Sequence, residues 1–228
     1  MDQEKGIWDI VESGNLAEVI GFIKSNVALI DQHLEFIQAN LGKAERNFVL
    51  YNLLAKVNLY LYCLMSSLSG PIEVIGFISR SLFELSLITR YVLMSEENLI
   101  QFVAESAVDK VQLLEGLLEA GDIAYKEDVE LIKEEIAKLK TTPEKFNFPS
   151  KKPNSIKTIA RIVDSELEYK ALYKLFSKYV HPSSFSINLG SEALMSEDRL
   201  RHTFLAFALT YAVVTFQQIR EATVGRVE

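Results

Sequence analysis

Arg80 and Glu84 stand four residues apart in the run 71–94, PIEVIGFISRSLFELSLITRYVLM, which is otherwise apolar around nearly its whole circumference. At 100° per residue, Glu73, Arg80, Glu84 and Tyr91 fall within about 20° of one line along a helix. A helix apolar all round belongs inside a bundle, and a buried charge is costly unless it is paired and hydrogen-bonded. The spacing therefore predicts a polar seam in the core. Two uses of that seam are open. It is either an ion-pair network that ties helices together or the wall of a site, in which an arginine held by a glutamate anchors phosphate or carboxylate.

The second candidate constellation is the run 173–184, YKLFSKYVHPSS. Lys174, Lys178 and His181 share one helical face, and Tyr173 and Ser177 share the adjacent one. His181 comes at the carboxyl end, where the helix dipole favours the imidazolium. Ser183 and Ser184 follow the break at Pro182 and offer hydroxyls beside it. The competing structural reading makes the lysines a solvated face, His181 a carbonyl cap and the serines turn formers. His33, among Asp31, Gln32 and Glu35, reads as solvated, and His202, flanked by Arg199 and Arg201, as a surface or capping residue. Three dispersed histidines, one cysteine and no HExxH give no metal site. Glycine-rich phosphate loops, GxSxG elbows and dinucleotide fingerprints are also missing from the sequence, so no cofactor is expected.

Positioning these residues falls to helices. The chain has 228 residues with only 10 Gly and 5 Pro, which favours long helices over the breaker-rich loops of β folds. Apolar residues recur at a period of 3.6, and strand-like alternation is nowhere sustained. Helices are expected from Asn15, as cap, to about Asn40; from about Ala44 to Leu68; and over 71–94. A fourth runs from the cap Ser95 to about Ala120, stopped at Gly121. A charged helix reaches about Lys140 and is followed by a long Pro/Lys loop over 141–155. Helix resumes over about 154–164 and 166–180, and a last one spans about 196–223. The expected architecture is an all-α, single-domain bundle of five long helices plus one or two short ones over 15–228, preceded by an N-terminal segment, 1–14.

A net charge of −7 disfavours a surface that coats nucleic acid broadly, while leaving room for a local basic groove. Cys63, within LYLYCLMSSL, reads as a small buried hydrophobe, and a lone cysteine suits a reducing cytoplasm. The acidic N-terminus lacks the order of a signal peptide. The apolar run 204–216 is shorter than the roughly 20 residues of a membrane span, so no membrane association is expected. The apolar faces of the helices over 44–68, 71–94 and 197–221 exceed what one bundle covers, which points to a homodimer or larger assembly.

The run SRSLFELSLITRYVL, with YKLFSKYVHPSSFSI about a hundred residues later, resembles a family of uncharacterised bacterial helical proteins known as a domain of unknown function. In that family an Arg-x-x-x-Glu helix precedes Tyr-x-x-x-Ser-x-x-x-His-Pro-Ser, and Arg80, Glu84, Tyr173, Ser177, His181, Pro182 and Ser183 are the matching positions. The resemblance implies a mostly α fold. More loosely, it implies similarity to the HEPN group of helical domains in prokaryotic abortive-infection and toxin systems. Ribonucleases of that group carry Arg followed four to six residues later by His on one helix, a spacing this sequence lacks.

The expectation drawn from these observations is a binding or effector module of a bacterial stress or phage-defence system. Its cleft would hold a phosphate-bearing ligand, nucleotide or RNA, with Arg80, Glu84 and His181 as the reactive set and Tyr173, Ser177 and Ser183 as ligand contacts. One alternative is a metal-independent nuclease or other hydrolase using the same cleft, with His181 as acid/base and Arg80 stabilising phosphate charge. The other is a structural helical interaction protein without a ligand site.

Overall fold

The computed structural model describes residues 6–42, 44–121, 126–146, 153–180 and 194–224. Among them are nine α-helices and no strand: α1 (Ile7–Glu12), α2 (Leu16–Asn40), α3 (Glu45–Ser67), α4 (Ile72–Met94), α5 (Glu96–Ala120), α6 (Lys126–Phe146), α7 (Ile156–Ile162), α8 (Glu166–Val180) and α9 (Leu194–Val224). The chain divides into two compact units, Met1–Arg90 with Ala160–Glu228, and Tyr91–Ile159.

Local chemistry sets several helix ends. Asn15 Oδ1 accepts from the amides of Ala17 and Glu18, and Ser95 Oγ accepts from that of Asn98, each satisfying amides left open at a helix start. Gly42 and Gly121 end α2 and α5 at φ of +64° and +70°, a conformation in which a Cβ is strained. Two helices depart from the expectation. The segment before Asn15 contains α1, held by Asp9, which accepts from the Gly6 amide, and by buried Val11. Helix α6 runs to Phe146, through Pro143 and into the expected loop. A proline removes one i→i−4 bond, which a helix tolerates near its end more easily than in its middle.

The core of the first unit is built on Ile23 and Ile30 of α2, Leu50, Leu54, Leu61 and Leu64 of α3, Ile75, Leu82 and Phe83 of α4, Phe176 of α8 and Phe204 of α9, all essentially inaccessible. Helix α3 is long and apolar enough to cross a membrane by length and composition, yet one of its faces is spent on this core. Cys63 is exposed, because it lies on the outer side of α3 with Leu59 and Tyr62 while Leu61 and Leu64 turn inward. His33 is also opposite to expectation: it is 8% exposed. It continues the inward stripe of Val19, Ile23, Val27, Ile30 and Ile37, stacks on Phe36 and lies 2.8 Å from the Thr223 hydroxyl. Burial, reinforced by Arg220, holds its pKa below the ordinary histidine value.

In the second unit α5 and α6 form a hairpin bound by Lys110–Glu135 and Lys140–Glu115, both at 2.7 Å. Its buried polar centre is Glu105. That carboxylate accepts from Gln101 Nε2 (2.9 Å), the Asn154 amide (2.9 Å) and Asn154 Nδ2 (3.1 Å), and Asn154 Nδ2 also reaches the Tyr91 hydroxyl (3.2 Å).

Candidate functional site

Arg80 and Glu84 form the ion pair that their spacing implies, Nε to Oε1 at 2.8 Å, with side chains 21% and 26% exposed. The seam is therefore half-buried rather than enclosed, and its ends belong elsewhere. Glu73 is exposed, about two helical turns closer to the start of α4, and Tyr91 is buried in the second unit.

Helix α8 supplies the other wall. The Arg80 guanidinium lies 5.0 Å from the centre of the Tyr173 ring, and Tyr173 stacks on Tyr169 at 5.2 Å. Residues four apart on a helix are neighbours on one face, so a Tyr-x-x-x-Tyr pair makes a two-ring rail against which a cation can lie. Burial raises the Tyr169 phenol above its ordinary pKa, with Tyr173 and Glu84 pushing the same way and Arg80 opposing them. Ser177 donates back to the Lys174 carbonyl at 3.2 Å. His181 and Ser183 lie outside the described residues.

Ten residues beyond Arg80, Arg90 meets a different feature. After α7 the chain reverses through Asp164 at φ +55°, with Ser165 N bonded to Ala160 O (2.7 Å) and Asp164 N to Arg161 O (3.3 Å). This pair of bonds closes a helix carboxyl end on a left-handed residue. Arg90 grips the turn through Nη1 to Ser165 Oγ at 2.8 Å and Nη2 to the Val163 carbonyl. Beside Arg90 opens a cavity of about 320 Å³ whose lining includes Trp8, Glu168, Phe207, Tyr211 and Gln218. The Tyr211 hydroxyl donates to Glu168 at 2.7 Å. Burial, followed by this bond to a carboxylate, pushes the Tyr211 pKa far up. Neither Tyr169 nor this cavity figured among the expected site residues. The Tyr169/Tyr173 spacing was a usable signal, whereas a cavity assembled from positions 8 to 218 leaves none in periodicity.

Among the described residues no three His, Cys, Asp or Glu side chains gather into a metal-holding group. The arrangement at Arg80 is suited to anion recognition. A guanidinium oriented by a carboxylate and an aromatic face is pre-set for a phosphate or carboxylate group.

No curated protein and no solved structure matches the chain. The model of a family of unknown function matches residues 74–198, more than half of the sequence. That span contains Arg80 and Glu84 on α4 and the whole of α8 with Tyr169, Tyr173 and Ser177. The chain therefore belongs to the family of unknown function DUF5677.

Proposed function

We propose that the protein is a helical binding module that recognises a phosphate-bearing ligand, a nucleotide or RNA, at the Arg80–Glu84–Tyr173 cluster. The observation that carries this reading is a half-buried arginine positioned by Glu84 on one helix and Tyr173 on another. Charge supports it. In a chain of net charge −7, Lys170 is paired with Glu166 at 2.9 Å, and Lys174 and Lys178 lie beyond the acids of α8, which thus becomes basic toward its carboxyl end. Local basicity on an acidic protein draws an anion to one place. His181 and Ser183 follow α8 directly in sequence and complete the ligand set in this reading. The wider proposal is a HEPN-like effector domain of a bacterial stress or defence system, acting in the cytoplasm as a homodimer.

Isothermal titration with inorganic phosphate, AMP, ATP and a short single-stranded RNA tests the reading. At least one phosphate-bearing ligand should bind, and Arg80→Gln should weaken it about tenfold, the effect of losing one charge-assisted contact. Cleavage of the RNA in the presence of EDTA would replace the binding reading by the hydrolase one, with His181 as acid/base. No heat with any of the four ligands would overturn both and leave the cluster a structural tie.

A further inference from the structure

The cavity beside Arg90 has the make-up of a ligand site separate from the Arg80 cluster. Ten residues of helix put about 15 Å of axial rise between the two arginines, and Arg90 falls on another side of α4. One wall of the cavity is aromatic: Trp8 meets Phe207 edge-on at 6.0 Å, and Phe207 stacks on Tyr211 at 6.2 Å. The remaining lining includes Ser86, Arg90, Glu168, Thr210 and Gln218. Among the described lining residues one acid and one base leave no formal net charge.

Hydrogen-bond capacity in this cavity leans toward accepting. Gln218 Oε1 is buried and has no partner among the described residues. Ser86 spends its proton on the Phe83 carbonyl at 2.7 Å, and Tyr211 spends its own on Glu168, so both oxygens offer only lone pairs. Buried acceptors require donors, and an orphaned carbonyl in a cavity marks the place where one belongs. An apolar wall with a few convergent polar groups is the usual constitution of a small-molecule pocket, and about 320 Å³ is at the small end of such pockets.

We infer that this cavity binds a small, planar, uncharged heteroaromatic molecule of nucleobase to nucleoside size, which lies against the near-parallel Phe207 and Tyr211 rings with Trp8 at its edge and donates an N–H to Gln218. A phosphate group is not part of the fit, since Glu168 stands at the site and Arg90 is engaged with the turn at 163–165.

Trp8 is the sole tryptophan of the chain and is 45% exposed at the cavity, so its emission reports on occupancy. The full-length protein is titrated with adenine, adenosine, guanosine, cytidine and uridine while Trp8 fluorescence is followed at wavelengths where the probes do not absorb. At least one probe should change the emission saturably, with a dissociation constant below about 1 mM, an affinity within reach of ligands of this size. Gln218→Leu should weaken that binding about tenfold while leaving the melting temperature unchanged or a few degrees higher, because it removes an unsatisfied acceptor along with the ligand contact. Glu168→Gln, an exposed change on α8, should alter affinity without unfolding the protein. Unchanged emission up to 5 mM of every probe overturns the inference. So does a saturable change that survives Gln218→Leu at full affinity.

Discussion

Replacing Arg80 by alanine separates a seam that supports the fold from one that merely decorates it. Two of the guanidinium's contacts have a worth that can be bounded. Its bond to Glu84 is charge-assisted and short, 2.8 Å, between side chains 21% and 26% exposed. An exposed i,i+4 pair contributes about 0.3–0.5 kcal/mol, whereas breaking a fully buried pair costs about 3–5 kcal/mol. Partial exposure places this pair between those limits, at about 1.5–2 kcal/mol, because water still reaches the stranded Glu84. Stacking on Tyr173 at 5.0 Å adds about 0.5–1 kcal/mol. Arg80→Ala should thus lose about 2–3 kcal/mol, a fall in melting temperature of roughly 4–12 °C for a chain of this length. Lys174→Ala, an exposed position on α8, should lose no more than about 0.5 kcal/mol. Chemical denaturation of both variants measures the difference, and a double-mutant cycle with Glu84→Gln isolates the pair term. The cycle should return a coupling near 1 kcal/mol that shrinks in 1 M NaCl. Equal midpoints for Arg80→Ala and Lys174→Ala would refute the reasoning, since the seam would then be solvated and of no structural consequence.

Three further outcomes are expected. The lowered pKa of His33 means that the unfolded chain binds the proton more readily, so the stability it contributes is present above about pH 6.5 and is lost as pH falls through the folded value; urea midpoints over pH 5–8 should show this slope, and His33→Leu should flatten it. A Cβ on Gly76 would approach the Phe204 ring at 3.2 Å, so Gly76→Val should lower stability by about 2–3 kcal/mol by denaturant titration, overpacking a fully buried ring. Leu59, Tyr62, Val74 and Phe77 are all exposed on α3 and α4, and multi-angle light scattering at micromolar concentration should give at least a dimer mass, reduced toward the monomer by Phe77→Glu.

What the sequence made legible was whatever is decided within a turn or two of helix. Asn15 and Ser95 cap, Gly42 and Gly121 stop, and Arg80 finds Glu84 because each outcome depends on residues three or four positions apart. The misreadings share one cause. His33 has polar sequence neighbours, but its surroundings are Phe36, Phe216 and Thr223, two of which lie more than 180 positions away. Cys63 has apolar sequence neighbours and still faces outward, because 3.6-residue periodicity alone does not say which side of an apolar helix is covered. The cavity beside Arg90 is the extreme case. Its aromatic wall joins Trp8 to residues near the end of the chain, and no spacing rule connects them.

Helix α4 shows how much of the candidate site follows from packing rather than from motif. Close approach to α9 is possible because α4 presents Gly76 to Phe204 and because Ser79 Oγ lies within hydrogen-bond distance of both Ile75 O (2.8 Å) and Phe204 O (2.7 Å). Small residues on that side bring Phe204 into the core, where it meets Phe176 of α8 at 5.4 Å. Phe176 is three residues beyond Tyr173 and one before Ser177, so the same contact that seats α8 fixes where its Tyr169–Tyr173 face stands. Arg80 meets that face only because the apolar side of α8 is already spent on the core. The two arginines of α4 then divide according to what α8 offers each of them. Arg90 reaches the turn that starts α8 and locks it through Val163 and Ser165, a positional role in which its donors serve backbone and hydroxyl oxygens. Arg80 reaches the middle of α8, where the available surface is an aromatic ring rather than a carbonyl. A ring face holds a guanidinium by its π surface, while Glu84 orients it from its own helix. A cation set between a carboxylate of one helix and a ring of another is why the anion-binding proposal is placed at Arg80 and not at Arg90, which serves the turn.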